Sequence, residues 1–299
     1  MENPYPGICV SSMSTCHKAR RSAHVRTRWR DGSLLGSISL KAMVRSWRRV
    51  STGSSMGTSK QRKGSPSKSR WVAPIMNLPA RSRKRIVRKV CEALQARYGT
   101  PRHGNPRNPL DDLIYITLSN KTSPSTARRV YRELKRRFPQ WGDILRSRAS
   151  TLERILRPAG LSRVKSRQIR AALAQIELDF GSCSLRRLKT LPTEEAEAYL
   201  TRLSGVSDKV AKCVLMYACD AQVLPVDSHV HRVAKRLGWT VRKRADQCHD
   251  DLEALVPPDR RYAFHVDCIA HGRAVCRPAK PDCEHCCVNR YCFYYRGKL

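Results

Sequence analysis

One pattern narrows the possible folds more than any other: from Arg83 onward the apolar residues recur at helical spacing almost without a break. Between Arg83 and Tyr98, Ile86, Val87, Val90, Leu94 and Ala96 share one side of a helix, and Pro109 to Ser119 is an apolar run behind a loop rich in Gly and Pro. The same rhythm predicts helices over residues 125–138, 149–156, 162–180, 194–203, 208–219 and 228–237. Alternation of apolar and polar residues never persists long enough for a strand, so the reading is an all-α fold with short connections.

Residues 1–82 break the rhythm. They are rich in Ser, Arg and Lys, as in the stretch from Ser51 to Arg70, and such a segment buries too little apolar surface to offset its ordering entropy. It reads as a disordered basic extension: an arm that adds affinity for a polyanion, a leader resembling a transit peptide, or the product of a start upstream of Met43, Met56 or Met76. The whole chain of 299 residues carries 59 Lys and Arg against 24 Asp and Glu, a formal charge of +35. Charge of that size repels itself unless a polyanion is the partner, which puts nucleic acid first. Aromatic residues make up only 6%, too few for a platform that stacks single strands, so contact with duplex phosphates is expected. No apolar run is long enough to span a bilayer.

Of thirteen cysteines, nine fall into two informative groups. Cys91, Cys183, Cys213 and Cys219 lie in apolar helical stretches and read as buried thiols of a reducing compartment, which argues against secretion. Five more crowd the C-terminus as Cys276-x6-Cys283-x2-Cys286-x5-Cys292, with Cys287 beside Cys286. Four thiolates so close in sequence can hold a cubane iron–sulfur cluster or a tetrahedral zinc. Zinc sites usually pair two CxxC knuckles, and only Cys283 and Cys286 form one here.

The most informative window runs from Leu203 to Leu215, LSGVSDKVAKCVL, and continues from Leu224 to Trp239, LPVDSHVHRVAKRLGW. Gly205 can take a positive φ at a tight turn between helices, and the free amides of the next helix, aided by its dipole, favour an anion such as a phosphate. Lys209 alone would ordinarily be a solvated or phosphate-contacting side chain. Asp227 alone sits where a helix N-cap belongs.

Together these residues change the reading. The chain resembles the endonuclease III family of helix-hairpin-helix DNA glycosylases, whose hairpin reads L-x-G-V-G-x-K and is followed by V-D-[ST]-H. Leu203, Gly205, Val206 and Lys209 match the first part, and Val226, Asp227, Ser228 and His229 match the second. Ser207 stands where the pattern has its second glycine, and would strain the turn if that position were left-handed. The resemblance covers about Arg83 to Leu299. It implies two lobes: a six-helix barrel over 110–225 that carries the hairpin, and a second lobe from 83–109 and 226–299 that ends in an iron–sulfur loop.

By the same resemblance, Lys209 is the nucleophile and Asp227 its assistant. An amine that attacks the sugar C1′ displaces the base, forms a Schiff base and permits strand cleavage by β-elimination, while a carboxylate steadies the positive charge on the sugar. The cysteine spacing after His271-Gly272-Arg273 matches the family's [4Fe–4S] loop, with Cys276, Cys283, Cys286 and Cys292 as ligands; Cys286 rather than Cys287 preserves the family spacing. The cluster is then a structural staple for the basic loop from Arg277 to Lys280.

Further DNA contacts are implied at Gly205, Val206, Ser207, His229 and Arg273, and at Asn120 and Lys121, in the loop that fills the vacancy left by a flipped nucleotide. That loop, LSNKTSP, departs from the family's L-S-A-Q-A-T-D, and Ser123-Pro124 also reads as a plain helix cap. The expected activity is a bifunctional glycosylase and AP lyase of base excision repair acting on oxidised pyrimidines in double-stranded DNA, as a monomer, in a bacterial nucleoid or a eukaryotic nucleus or mitochondrion. The alternatives are an alkylated, mismatched or methylated base as substrate, a noncatalytic DNA-binding protein on the same scaffold, or an RNA-binding protein with a metal knuckle.

Overall fold

The computed structural model describes residues 74–297. The extension expected to lack structure lies outside the described residues up to position 73. Its last part needs correction, because Pro74–Asn77 forms a 3-10 turn and the first long helix already starts at Ala80. The reason is a local anchor: Ile75 is buried, and its amide donates to the Gly238 carbonyl at 3.1 Å.

The described residues form α-helices and 3-10 turns with no strand among them. The helices are α1 (Ala80–Tyr98), α2 (Pro109–Ser119), α3 (Pro124–Arg137), α4 (Asp143–Arg146), α5 (Ala149–Leu156), α6 (Ser162–Phe180), α7 (Thr193–Arg202), α8 (Asp208–Ala218), α9 (Ser228–Arg236), α10 (His249–Leu255), α11 (Arg261–Ala274) and α12 (Phe293–Arg296). None is long and apolar enough to cross a membrane.

Local chemistry sets the boundaries. The side chain of Asn108 accepts from the amides of Leu110 and Asp111, and Pro109 occupies the first turn, so α2 begins where the cap puts it. Ser123 caps α3 through the Thr126 amide, again with a proline behind it, as the plain reading of that dipeptide has it. Gly99 and Gly181 close α1 and α6, each at φ 69°.

Two apolar clusters organise the packing. The first spans Leu110 to Val223 and includes Leu118, Phe138, Ile144, Leu173 and Val214. The second joins α1 to the later chain through Val87, Leu94, Leu224, Val233, Trp239 and Phe264, with Trp239 stacked on Phe264 at 5.3 Å. The chain leaves the first cluster at Val223 and enters the second at Leu224, immediately before Pro225-Val226-Asp227. Of the four scattered cysteines, Cys91 and Cys213 are buried, whereas Cys183 and Cys219 are only half-buried.

Helices α10 and α11 have no counterpart among the sequence expectations. Helix α11 buries His265, Asp267 and His271 beside Phe264, Val266 and Cys268, so its polar and apolar residues do not separate onto two faces and its period is hidden.

Candidate active site

The turn into α8 is built around one glycine. Gly205 has φ +80°, and a Cβ added there would lie 2.5 Å from Cδ of Gln168. Val206 is half-buried against the first core, and its amide donates to the Leu203 carbonyl at 3.1 Å. Ser207, which would strain the turn only if left-handed, is ordinary extended backbone at φ −91° and ψ 167°. Its side chain makes no cap bond, which leaves the first amides of α8 without an internal partner.

Lys209 and Asp227 line the same cavity, of about 940 Å³, together with Asn120, Lys121, Ser207, His229 and Arg273. Gly205 and Val206 are not part of its lining. Lys209 is half-buried in the first turn of α8, and the Cys213 thiol one turn further on is pushed up to about 11 by burial. Asp227 is the N-cap of α9: its Oδ1 accepts from the amides of His229 and Val230, both at 2.8 Å. The capping and cavity-lining roles are thus compatible, because both amide bonds use one carboxylate oxygen.

Other lining residues carry no sequence signal of their own. His265, 1% exposed on α11, has Nδ1 2.8 Å from the Pro225 carbonyl and Nε2 2.6 Å from the Tyr217 hydroxyl. A carbonyl only accepts, so Nδ1 carries the proton and Tyr217 donates to Nε2. Burial lowers His265 to about 4, which keeps it neutral. His103 stacks on Tyr217 at 3.9 Å and bonds Asn105, whose amide donates to Asp112 at 2.5 Å. Asp112 is fully buried, and burial pushes its carboxyl up to about 8. A histidine or aspartate inside an apolar run was the one available hint.

Behind the cavity, α9 and α11 are laced together. Arg232 donates to the carbonyls of Gly272 at 2.9 Å and Cys276 at 2.8 Å, and to Nδ1 of His229 at 3.1 Å. Gly272 is required by this approach, since a Cβ there would lie 2.6 Å from His229 Nδ1. Arg273 is exposed at the cavity edge.

Cys276, Cys283, Cys286 and Cys292 surround one small cavity that Cys287 does not line. Arg236 borders it, donating to Cys276 Sγ at 3.2 Å and to the carbonyls of Arg277 and Pro278 at 2.8 and 2.9 Å. His271 Nε2 lies 3.5 Å from Cys286 Sγ. Among the described residues no three His, Cys, Asp or Glu side chains converge tightly enough to hold a single ion. Tetrahedral zinc, about 2.3 Å from each sulfur, requires that convergence. A cubane, which gives each thiolate its own iron, needs the sulfurs spread around a shared space.

Residues 114–258 match a family described as HhH-GPD superfamily base excision DNA repair protein. A protein of Arabidopsis thaliana provisionally named a DNA glycosylase is 33% identical over 175 residues, which cover 58% of this chain and 59% of that protein's length. Endonuclease III of Thermotoga maritima is 26% identical over 198 residues, covering 66% of this chain and 89% of that one. A solved non-covalent complex of endonuclease III with DNA superposes with a TM-score of 0.62 at 25% identity, covering 72% of this chain and 97% of that protein chain.

Proposed function

This chain belongs to the endonuclease III type of helix-hairpin-helix DNA glycosylases, and from that premise we propose that it excises damaged bases, oxidised pyrimidines first among them, and cuts the strand at the abasic site. The observation that carries the reading is the shared cavity of Lys209 and Asp227.

The amine of Lys209 bonds to C1′ of a flipped nucleotide while the bond from C1′ to the base breaks, and the base leaves with the electron pair and takes up a proton. The attached nitrogen gives up one proton, O4′ takes up a proton as the C1′–O4′ bond opens, and the product is a protonated imine. Removal of a C2′ proton then expels the 3′ phosphate. Asp227, fixed by two amides through Oδ1, presents a carboxylate to the positive charge that builds on the sugar as the base departs. The turn at Gly205, Val206 and Ser207 receives a backbone phosphate, His229 and Arg273 flank the strand, and Asn120 and Lys121 enter the vacated stack. Double-stranded DNA is the partner, bound across the groove between the two lobes by a single copy of the chain.

The four thiolates of Cys276, Cys283, Cys286 and Cys292 would hold a [4Fe–4S] cluster, which cross-links the C-terminal loop and supplies no electrons to excision. Arg236, tied to both Cys276 and the carbonyls of the Arg277–Pro278 segment, sets that basic loop against the DNA.

Borohydride reduction in the presence of abasic-site duplex is expected to trap a covalent complex, and Lys209→Gln to abolish it while DNA binding persists; trapping by the variant would assign the chemistry to another amine. Protein purified without oxygen is expected to be brown, with the colour lost in Cys286→Ser and kept in Cys287→Ser. A panel of duplexes with single lesions separates oxidised pyrimidines from alkylated, mismatched and methylated bases.

A further inference from the structure

Lys165 is the least expected side chain in the first core. It lies in the first turn of α6, 3% exposed, and its hydrogen bonds all go to neutral oxygens. Nζ has four acceptors for its three N–H groups: the carbonyls of Leu118 at 2.8 Å, Ala159 at 2.9 Å and Asn120 at 3.0 Å, and Oγ1 of Thr122 at 3.0 Å. Burial pulls the ammonium below its usual range. A charge sealed in a core without a counterion is costly, so four acceptors on one atom describe a purpose-built cage.

The cage joins two loops that are distant in sequence. One is the end of α2 and the loop after it, with Leu118, Asn120 and Thr122; the other is the 3-10 turn Arg157–Ala159 and the link from it to α6. Thr122 Oγ1 also donates to the Ala159 carbonyl at 2.6 Å, which closes the joint. Each loop presents one non-glycine residue in the left-handed region, Lys121 at φ 55° and Leu161 at φ 49°, and both are exposed. Left-handed backbone costs roughly 1–2 kcal/mol at each such residue, so these conformations persist only if something holds them. Asn120, Lys121 and Thr122 line the rim of the Lys209 cavity.

We propose that Lys165 is a positioning residue for base excision: its ammonium binds the two loops into one rigid piece and so holds Lys121 in place at the cavity rim while the target nucleotide is out of the stack. The inference rests on the glycosylase reading above. Lys165 touches no substrate and acts through the loop carbonyls.

The test uses the full chain and Lys165→Met, which keeps the length and removes the donor. Single-turnover excision of a lesion base is expected to fall by about tenfold to 100-fold, the scale of a misplacement near 1 Å. Borohydride trapping on DNA that already lacks the base is expected to fall less than about threefold, because no base has to be extruded. Thr122→Val, which deletes one rim acceptor, is expected to show the same split at smaller amplitude with the fold intact. In a Lys121→Ala background Lys165→Met is expected to cost no more than about twofold in excision, since residues that act through one loop are not additive.

Excision and trapping that fall together, or a full loss repeated in the Lys121→Ala background, would reduce Lys165 to a support of the core. A separate readout needs no turnover: 2-aminopurine opposite a tetrahydrofuran abasic analogue, whose fluorescence is expected to change on binding the wild type and to stay unchanged with Lys165→Met. A wild type that excises nothing removes the enzymatic reading alone, and coincident fluorescence signals from the two proteins then overturn the clamp.

Discussion

Helix Asp208–Ala218 carries two lysines, and they face opposite surroundings. The side chain of Lys212 is 6% exposed and lies between Glu197 at 3.0 Å and Glu253 at 2.9 Å. Glu253 also accepts from the Leu224 amide through its other oxygen, so the triad joins α8 to the start of the second core. Burial pulls the Lys212 ammonium down, but the bonds to Glu253 and Glu197 outweigh it and leave it above its usual value. Lys209, one turn earlier, lines the cavity with no carboxylate in ion-pair range among the described residues. A lysine can be a strut or a reagent, and the difference lies in whether carboxylates lock its proton in place.

The largest expected effect separates the two by chemistry. Lys209→Gln should lower borohydride trapping by at least about 1,000-fold, as the loss of a nucleophile does, whereas Lys212→Gln should leave trapping per folded molecule within about threefold. Equal losses from both, measured on matched fractions of folded protein, would erase the distinction. Stability should show the reverse pattern. Lys212→Met strands two carboxylates, and because both glutamates are partly exposed the cost should be about 2–4 kcal/mol in urea unfolding. Lys209→Met, which breaks no ion pair, should change the midpoint little.

Asp112 sharpens the comparison, because it is the buried carboxyl most able to blur it. Its Oδ1 accepts from Asn105, and its Oδ2 has no hydrogen-bond partner. Burial raises the group from 3.8 to about 8, against the opposing pull of the Asn105 bond and the Lys209 charge. A carboxyl raised in this way keeps its proton near neutrality and does not neutralise Lys209. The folded chain therefore holds a proton that the unfolded chain releases between those two values. The associated stability is complete at acid pH and is lost as pH rises through about 8. Asp112→Asn should remove that slope and become more stable than the wild type at alkaline pH, by about 2 kcal/mol. His265, lowered to about 4 by burial, loses its contribution as pH falls, but it is present in both proteins and cancels in the difference. Parallel stability curves from pH 5 to 9 would mean that Asp112 is ionised in the native state.

Much of this arrangement was legible in the sequence, and the parts that were not share a cause. Helix Pro109–Ser119 was readable as an apolar run behind a loop rich in Gly and Pro, and the Asn108 cap explains why the helix starts where that run does. The turn at Gly205 and the cap at Asp227 were readable because each is fixed by neighbours close in sequence, and Lys209 was picked out only by the motif around it. Lys165, Asp112, Tyr217 and His265 were not, because each is a polar residue whose partners lie far along the chain: Lys165 bonds Leu118, and His265 bonds Tyr217. Only the fold reveals that such a side chain is buried and satisfied. The same blindness hid Arg261–Ala274, whose buried histidines and aspartate interrupt the apolar stripe by which helices are found.

The smallest effects lie at the entrance of the same helix, where two positions of one motif should respond unequally. Gly205 occupies left-handed backbone at φ +80°, and Gln168 fills the space a Cβ would need, although a flexible glutamine can yield. Gly205→Ala should therefore cost about 1–2 kcal/mol, chiefly from backbone conformation, and should weaken binding to undamaged duplex if the turn receives a phosphate. Ser207 has extended backbone and makes no cap bond, so restoring the family's glycine there gains nothing from φ and loses no hydrogen bond. Ser207→Gly should stay within about 0.5 kcal/mol in stability, with trapping unchanged. A gain in stability or DNA affinity from Ser207→Gly would show that serine does strain the turn, and that the phosphate site is formed only after the backbone leaves the conformation seen here.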